Sequence, residues 1–196
     1  MPNTDTDVTA LSPRPQRADA RRNYEKLISA AREAFAEDGT SASLEDIARR
    51  AQVGIGTLYR HFPTRQHLLE AVYLDEVEAI CRKAADLADL EPWDALAAWL
   101  REFVGFAATK RALAQEMLAT IGSDAEVFRT CRDAIATAGD TLLGRAQATG
   151  AARADASFTD IGRLLGGIAS IQSDPEQIQR ILDIVLDGLR SQPDRS

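Results

Sequence analysis

The sequence predicts an all-α protein, on three observations. Alanine is abundant, and apolar residues recur at spacings of three and four along most of the chain. Runs of Val, Ile and Thr alternating with polar residues, the signature of half-buried strands, do not occur. Only 12 glycines and 7 prolines interrupt 196 residues, and most fall between the periodic stretches. The expected architecture is an N-terminal three-helix helix-turn-helix domain joined by a long helix to a C-terminal helical bundle.

Residues 1–20 are polar, carry Pro2, Pro13 and Pro15, and show no periodicity, so a disordered arm is expected. Arg14, Arg17, Arg21 and Arg22 close it, placed to reach a minor groove or phosphates, or simply solvated. Tyr24, Leu27, Ile28, Ala31 and Phe35 then follow helical spacing up to Gly39.

Ser43 to Phe62 reads as two short helices joined by a tight turn. Ser43 is the N-cap of the first, with Asp46 three residues on as in a capping box. Leu44, Ile47, Ala48 and Ala51 form its apolar stripe. Gly54 is expected to take the turn geometry or to cap the next helix. That second helix, Ile55 to Phe62, is about two turns long. Leu58 and Phe62 anchor it inward, and Thr57, Tyr59, Arg60 and His61 share its outer surface until Pro63 stops it. A short braced helix with that outer chemistry fits a DNA major groove.

Thr64 caps a long helix whose face is Leu69, Val72, Tyr73, Val77, Ile80, Ala84 and Leu87. Glu91-Pro92 opens the next, with apolar residues on most of its sides, as in a helix that is central in a bundle or lines a cavity. A separate shorter helix is expected over 110–120, a break at Gly122-Ser123, and a helix from Asp124 to about Thr149. The last two helices carry Phe158, Ile161, Leu165 and Ile168, then Ile181, Leu182, Val185 and Leu189, with Gly162 and Gly166 leaving a groove on the first. That exceeds what one core consumes, so these eight residues are the expected interface with a second copy.

The net charge is -7, which excludes a coat of nucleic acid by bulk positive charge. Its distribution is uneven. Residues 14–67 carry ten Lys/Arg against seven Asp/Glu, and residues 68–196 carry thirteen against twenty-one. A basic head on an acidic body fits local DNA binding. Cys81 and Cys131 sit in apolar helical patterns and read as buried thiols in a reducing cytoplasm. No apolar segment approaches the length of a membrane span. His61 and His67 do not share a helix face, and no nucleophile elbow, P-loop or dinucleotide fingerprint occurs. No metal, cofactor or catalytic group is expected.

Ile47-Ala48, Val53, Gly56-Thr57-Leu58-Tyr59-Arg60-His61-Phe62 and Leu68-Leu69 together resemble the DNA-binding domain of the TetR (tetracycline-repressor) family of bacterial transcription regulators. The resemblance covers roughly residues 21–80; beyond that it is architectural. It implies a DNA-binding domain over 21–80 and a ligand-binding and dimerisation domain over 81–196. It also implies a homodimer on a double-stranded, palindromic operator, released by a small-molecule effector. Ser43, Ile55, Gly56, Thr57, Tyr59, Arg60, His61 and Arg65 are the implied DNA contacts, with Ile55 and Arg60 at base edges and Arg65 on a phosphate. Two positions depart from the family: Gly54 stands where Ser or Thr is usual, and Glu45 where a basic residue is common. Glu45 cannot pair with guanine; it favours a cytosine amino group or simply repels phosphate. Trp93, Trp99, Phe103, Phe106, Met117 and Phe128 are the candidate effector pocket, weighed against plain core. The competing readings are a helical small-molecule enzyme or carrier with a vestigial head, and a non-specific architectural DNA binder.

Overall fold

A computed structural model describes residues 14–121, 126–171 and 174–191. Residues 1–13 of the expected arm and the expected break at Gly122-Ser123 lie outside them. Among the described residues there are eight α-helices: α1 (Ala18–Asp38), α2 (Leu44–Arg50), α3 (Ile55–His61), α4 (Arg65–Asp86), α5 (Pro92–Ile121), α6 (Glu126–Ala148), α7 (Phe158–Ile168) and α8 (Pro175–Leu189). The only β-pairing among them is an isolated bridge between Ala152 and Arg190. The all-α expectation holds.

The helix boundaries follow local chemistry. The Ser43 hydroxyl accepts from Asp46 N–H at 3.0 Å, the Thr64 hydroxyl from His67 N–H at 3.3 Å, and the Asp174 carboxylate from Gln177 N–H at 2.8 Å. Each satisfies an amide that the first helical turn leaves unpaired. Pro175 follows its cap at the start of α8, where its missing N–H costs nothing. Two expectations need correction. α1 begins at Ala18, inside the expected arm. The expected helix over 110–120 is the end of a continuous α5, because Ala107 to Arg111 contains no glycine or proline to interrupt it.

The chain divides into two compact units. The first comprises the N-terminal part through Glu78 together with Thr109–Cys131; the second comprises Ala79–Ala108 and the chain from Arg132 onward. In the first unit, Leu27, Ile28, Ala31 and Phe35 of α1, Ile47 and Ala48 of α2, Leu58 of α3, and Phe62, Leu68, Leu69 and Val72 are buried. Tyr73 meets Phe128 edge-on at 5.4 Å.

In the second unit, the Trp99 indole donates to the Ile80 carbonyl at 2.9 Å, so its polar atom is satisfied inside the core. Trp99, Phe103 and Phe158 form a mutual ring cluster with centroids 5.4–5.9 Å apart, and Phe106 joins through Phe103 at 5.7 Å. Gly139 of α6 lies against the Phe158 ring: a Cβ there would sit 2.4 Å from it. A glycine inside a helix costs about 1 kcal/mol relative to alanine. Here it makes room for a buried aromatic.

Gly139→Ala is therefore expected to destabilise the protein by about 1–3 kcal/mol despite its better helix propensity. Urea denaturation followed by tryptophan fluorescence checks this; a midpoint at or above wild type would show that Phe158 can move aside without loss.

Candidate nucleic-acid interface

The segment from Ser43 to Phe62 builds the surface. α2 ends in a Schellman motif: Val53 N–H donates to Ala48 C=O at 3.0 Å and Gln52 N–H to Arg49 C=O at 3.1 Å. That motif needs a left-handed residue after the cap, and the residue is Gln52, at φ 55°. The expectation for Gly54 is half corrected. It is the N-cap of α3, but with φ -62° and ψ 139° it uses none of glycine's special freedom.

α3 is held from behind. Leu58 is fully buried, and the Phe62 ring lies 5.2 Å from Tyr24 of α1. The opposite side is open. Ile55 and Tyr59, one turn apart, are 39% and 45% exposed, and Gly56 and Arg60 lie beside them, also exposed. Arg60 runs back along its own helix: its Nε donates to Gly56 C=O and its Nη2 to the Thr57 hydroxyl, both at 3.1 Å. Two of five guanidinium N–H groups are thus engaged, and the side chain is pre-oriented on an exposed face. A Cβ on Gly56 would meet no atom within 4 Å. Packing within the chain therefore does not explain this glycine.

Of the eight candidate DNA contacts, Ile55, Gly56, Tyr59 and Arg60 share this open face, with Thr57 half-buried at its edge. Ser43 is exposed at the start of α2. Its oxygen already accepts from Asp46 N–H, which leaves its proton to donate. His61 is half-buried against Tyr24 and Phe62, with centroids 6.2 and 6.1 Å away. Desolvation in that aromatic corner, and then the positive charge of Arg60, hold its pKa below the usual imidazole value, so it is neutral at pH 7.

Arg65, expected on a phosphate, is engaged within the chain. Its guanidinium lies 5.0 Å from the Phe35 ring centroid and donates to Ala42 C=O, tying the start of α4 to α1 and to the lead-in of α2. The sequence places Arg65 at a helix start but not where its flexible end goes. Thr64 caps α4 as expected, but reading from sequence missed its second bond: the Thr64 and His67 side chains bond each other at 2.8 Å on the exposed first turn of α4. The Thr-x-x-His spacing was the available signal.

Behind α2, the acids are neutralised. Asp46 pairs with Arg50 at 2.6 Å and also with Arg49, and Arg50 reaches Glu37 at 2.6 Å. Hydrogen bonding from Arg50 is the main force holding the Asp46 carboxyl below its ordinary range.

The other candidate sets fare differently. Trp99, Phe103, Phe106, Met117 and Phe128 are all buried, and four of these rings fill space against one another or against Phe158 and Tyr73. They also divide between the two units. Trp93 alone lines an open cleft, of about 450 Å³, with Asp94, Arg101, Asp183, Asp187 and Arg190; the Arg190 guanidinium sits 4.5 Å over its ring. As side chains, these six read as core plus one cleft wall. Phe158, Ile161, Leu165, Ile168, Leu182 and Leu189 are buried under their own chain, with Ile181 and Val185 half-buried. The apolar atoms left open on the last two helices belong to Leu164 (51% exposed) and Ile184 (71%), with Ile171 beyond α7. Among the described residues, no three His, Cys, Asp or Glu side chains are grouped to hold a metal ion.

Because the folded His61 pKa lies below the unfolded value of 6.5, the unfolded chain binds the extra proton first. His61 is expected to leave stability level above about pH 6.5 and to lower it as the pH falls through that value toward the folded pKa. Denaturation midpoints from pH 5 to 8 for wild type and His61→Gln check this; equal slopes in the two proteins would remove His61 as the cause.

Comparison with known proteins agrees with this geometry. Residues 27–72 match the model for bacterial regulatory proteins of the tetR family, and residues 91–191 match that for the SbtR-like transcriptional regulator C-terminal domain. The solved TetR transcriptional regulator SCO0520 of Streptomyces coelicolor is 42% identical, with a TM-score of 0.77, covering 87% of this chain and 99% of that one. A TetR regulatory protein of Mycobacterium vanbaalenii is 35% identical, with a TM-score of 0.72, covering 90% and 99%. The transcriptional repressor KstR of Mycolicibacterium smegmatis is 37% identical over 95 residues, 46% of this chain and 47% of that protein. The chain spans about half the length of the curated relatives it matches. With its two halves matched to a regulator's DNA-binding and C-terminal domains, the chain belongs to the TetR family and is a DNA-binding transcriptional regulator.

Proposed function

We propose that this regulator is a repressor that binds a roughly palindromic operator as a homodimer and is released by a small molecule held in its C-terminal part. Residues 21–80 are the reading head and 81–196 the sensing and pairing part; the family matches at 27–72 and 91–191 support that division. The observation that carries the DNA-binding face is Gly56. A helix accepts a glycine at a cost in stability, and nothing in the chain asks for this one. A bare backbone beside Tyr59 and Arg60 admits a phosphate or a base edge.

In this reading Arg60 and Ile55 meet base edges, while Ser43, Thr57, Tyr59 and neutral His61 donate to phosphates. Arg65 braces the head. Two copies place their α3 helices in successive major grooves about 34 Å apart. The open face of α7 and α8, with Leu164, Ile181, Ile184 and Val185, is the self-complementary contact between copies, since exposed aliphatic groups so grouped favour burial. An effector acts only by binding one spacing of the heads better than another, and α4 carries the change. Entry among the aromatic rings requires one of them, Phe103 or Phe158, to turn away from its neighbours. Operation in the cytoplasm without catalysis fits the family; among the described residues no helix is long and apolar enough to cross a membrane.

Two substitutions separate folding from reading. Gly56→Ala is expected to leave the fold intact or stabilise it by up to about 1 kcal/mol, while weakening operator binding at least tenfold. Tyr59→Ala is expected to abolish operator binding and leave the dimer unchanged by sedimentation. Fluorescence anisotropy on a duplex selected by the wild-type protein from a random library reads both. Binding of Tyr59→Ala at wild-type strength would show that this face does not dock on DNA.

A further inference from the structure

Arg14 and Arg32 bind the two oxygens of one carboxylate, Asp75 of α4, at 3.0 and 2.5 Å. Arg14 also reaches Glu78 at 2.5 Å, and Arg32 pairs with Glu76. From Ala18 to Arg32, α1 rises about 21 Å, farther than an arginine side chain extends. The chain ahead of Ala18 therefore turns back along α1 and does not continue its direction. Arg21 holds the bend: its Nε donates to Pro15 C=O at 3.3 Å and its Nη2 to Gln16 C=O at 3.4 Å. Glu78 is about 20 Å along α4 from its first residue, where the chain leaves the recognition helix. Of the four arginines read as reaching DNA or simply solvated, Arg14 and Arg21 are thus engaged inside the head, and Arg22 pairs with Asp19.

We propose that residues 14–17 form an intramolecular strap, in which Arg14 is a positioning residue that pins α1 to α4 and sets operator affinity without touching DNA. The acids on α4 are the reason. Asp75, Glu76 and Glu78 are each only 15–20% exposed as side chains and would repel one another without the two guanidiniums. Arg32 alone joins two of them to α1; Arg14 adds the third and gives Asp75 a second partner. The strapped α1 and α4 flank α3 on both sides in sequence; Tyr24 carries that bracing to His61 and Phe62 at the end of the recognition helix, and Arg65 ties α4 to α1 and to the lead-in of α2. A loosened strap leaves α3 more poses, of which fewer fit the groove.

The inference rests on the proposed DNA-reading function, and its test separates the two. Full-length wild type, Arg14→Gln, Arg14→Lys and Asp75→Asn are compared on a duplex selected from a random library by wild type, across a salt series, and by amide exchange without DNA. Arg14→Gln is expected to weaken binding by about two- to five-fold, as for a partly exposed ion pair, with an unchanged salt slope. Asp75→Asn weakens it also, and Arg14→Lys recovers part of the loss. Amide exchange in α1 and the first half of α4 quickens in Arg14→Gln. A direct phosphate contact gives the opposite pattern: Arg14→Gln lowers the salt slope by about two per dimer, and Asp75→Asn, which unpairs Arg14, tightens binding. That result overturns the strap, as does Arg14→Gln with wild-type affinity and exchange. If wild type selects no duplex, the DNA-reading proposal fails, and unchanged exchange in Arg14→Gln still refutes the strap independently.

Discussion

A helix of seven residues cannot stand alone. It makes too few hydrogen bonds to repay the ordering of its first turn, and α3 has neither a side-chain cap nor a glycine-free start. Its existence depends on burying Leu58 and Phe62 against the helices behind it. That one apolar attachment decides the rest of the head. It fixes which side of α3 faces outward, draws His61 into an aromatic corner, and places Tyr59 and Arg60 where nothing in the chain covers them. Tyr24 closes the attachment from α1, and Arg65 ties α4 to α1 and to the lead-in of α2, so the flanking helices help to hold a two-turn element still.

The electrostatics follow from the same constraint. A short helix offering groups to a polyanion gains from nearby positive charge, yet the head carries many acids. The structure pairs several of them with arginines. Asp46 and Glu37 sit on Arg50, and Asp75 and Glu76 on Arg32. Arg60, by contrast, is tied only to uncharged groups of its own helix. Its full charge is thus available on the surface, whereas the charge of Arg50 is largely cancelled. The modest positive balance of residues 14–67 understates how the sign is distributed.

What the sequence made legible was local. Ser43, Thr64 and Asp174 announce helix starts because a cap is a relation between residues three apart, and Leu58 and Phe62 announce an inward side because apolar spacing is periodic. Three things were hidden for one reason. Periodicity says that Phe158, Ile161 and Leu165 are apolar, but not whether their own chain or a second copy covers them; here Trp99, Phe103 and Gly139 already cover Phe158. The partners of Arg14 lie more than sixty residues away, and that of Arg65 more than twenty. A long cation at a helix start looks the same in sequence whether it reaches outward or folds back.

Two departures from local foldability lie at the start of α3. Gln52 holds a left-handed backbone that glycine adopts without strain, while Gly54 and Gly56, two and four residues later, take ordinary backbone angles that any residue could adopt. Stability alone would place the glycine at 52 and alanine at 56. Proteins keep such local conflicts where another demand outweighs them. For Gly56 the demand, in the proposed reading, is close approach by DNA, and no atom of the chain lies where its side chain would be. For Gln52 the neighbouring residues suggest one. A polar side chain there lines a cleft with Lys26, Ser29, Glu33 and Arg50 and keeps the turn wetted, so the Schellman motif, with both its hydrogen bonds made, tolerates the strain rather than requiring this residue. The two positions differ in kind: the conflict at 52 is absorbed by the fold around it, and the conflict at 56 is answered, in the proposed reading, by the docked DNA.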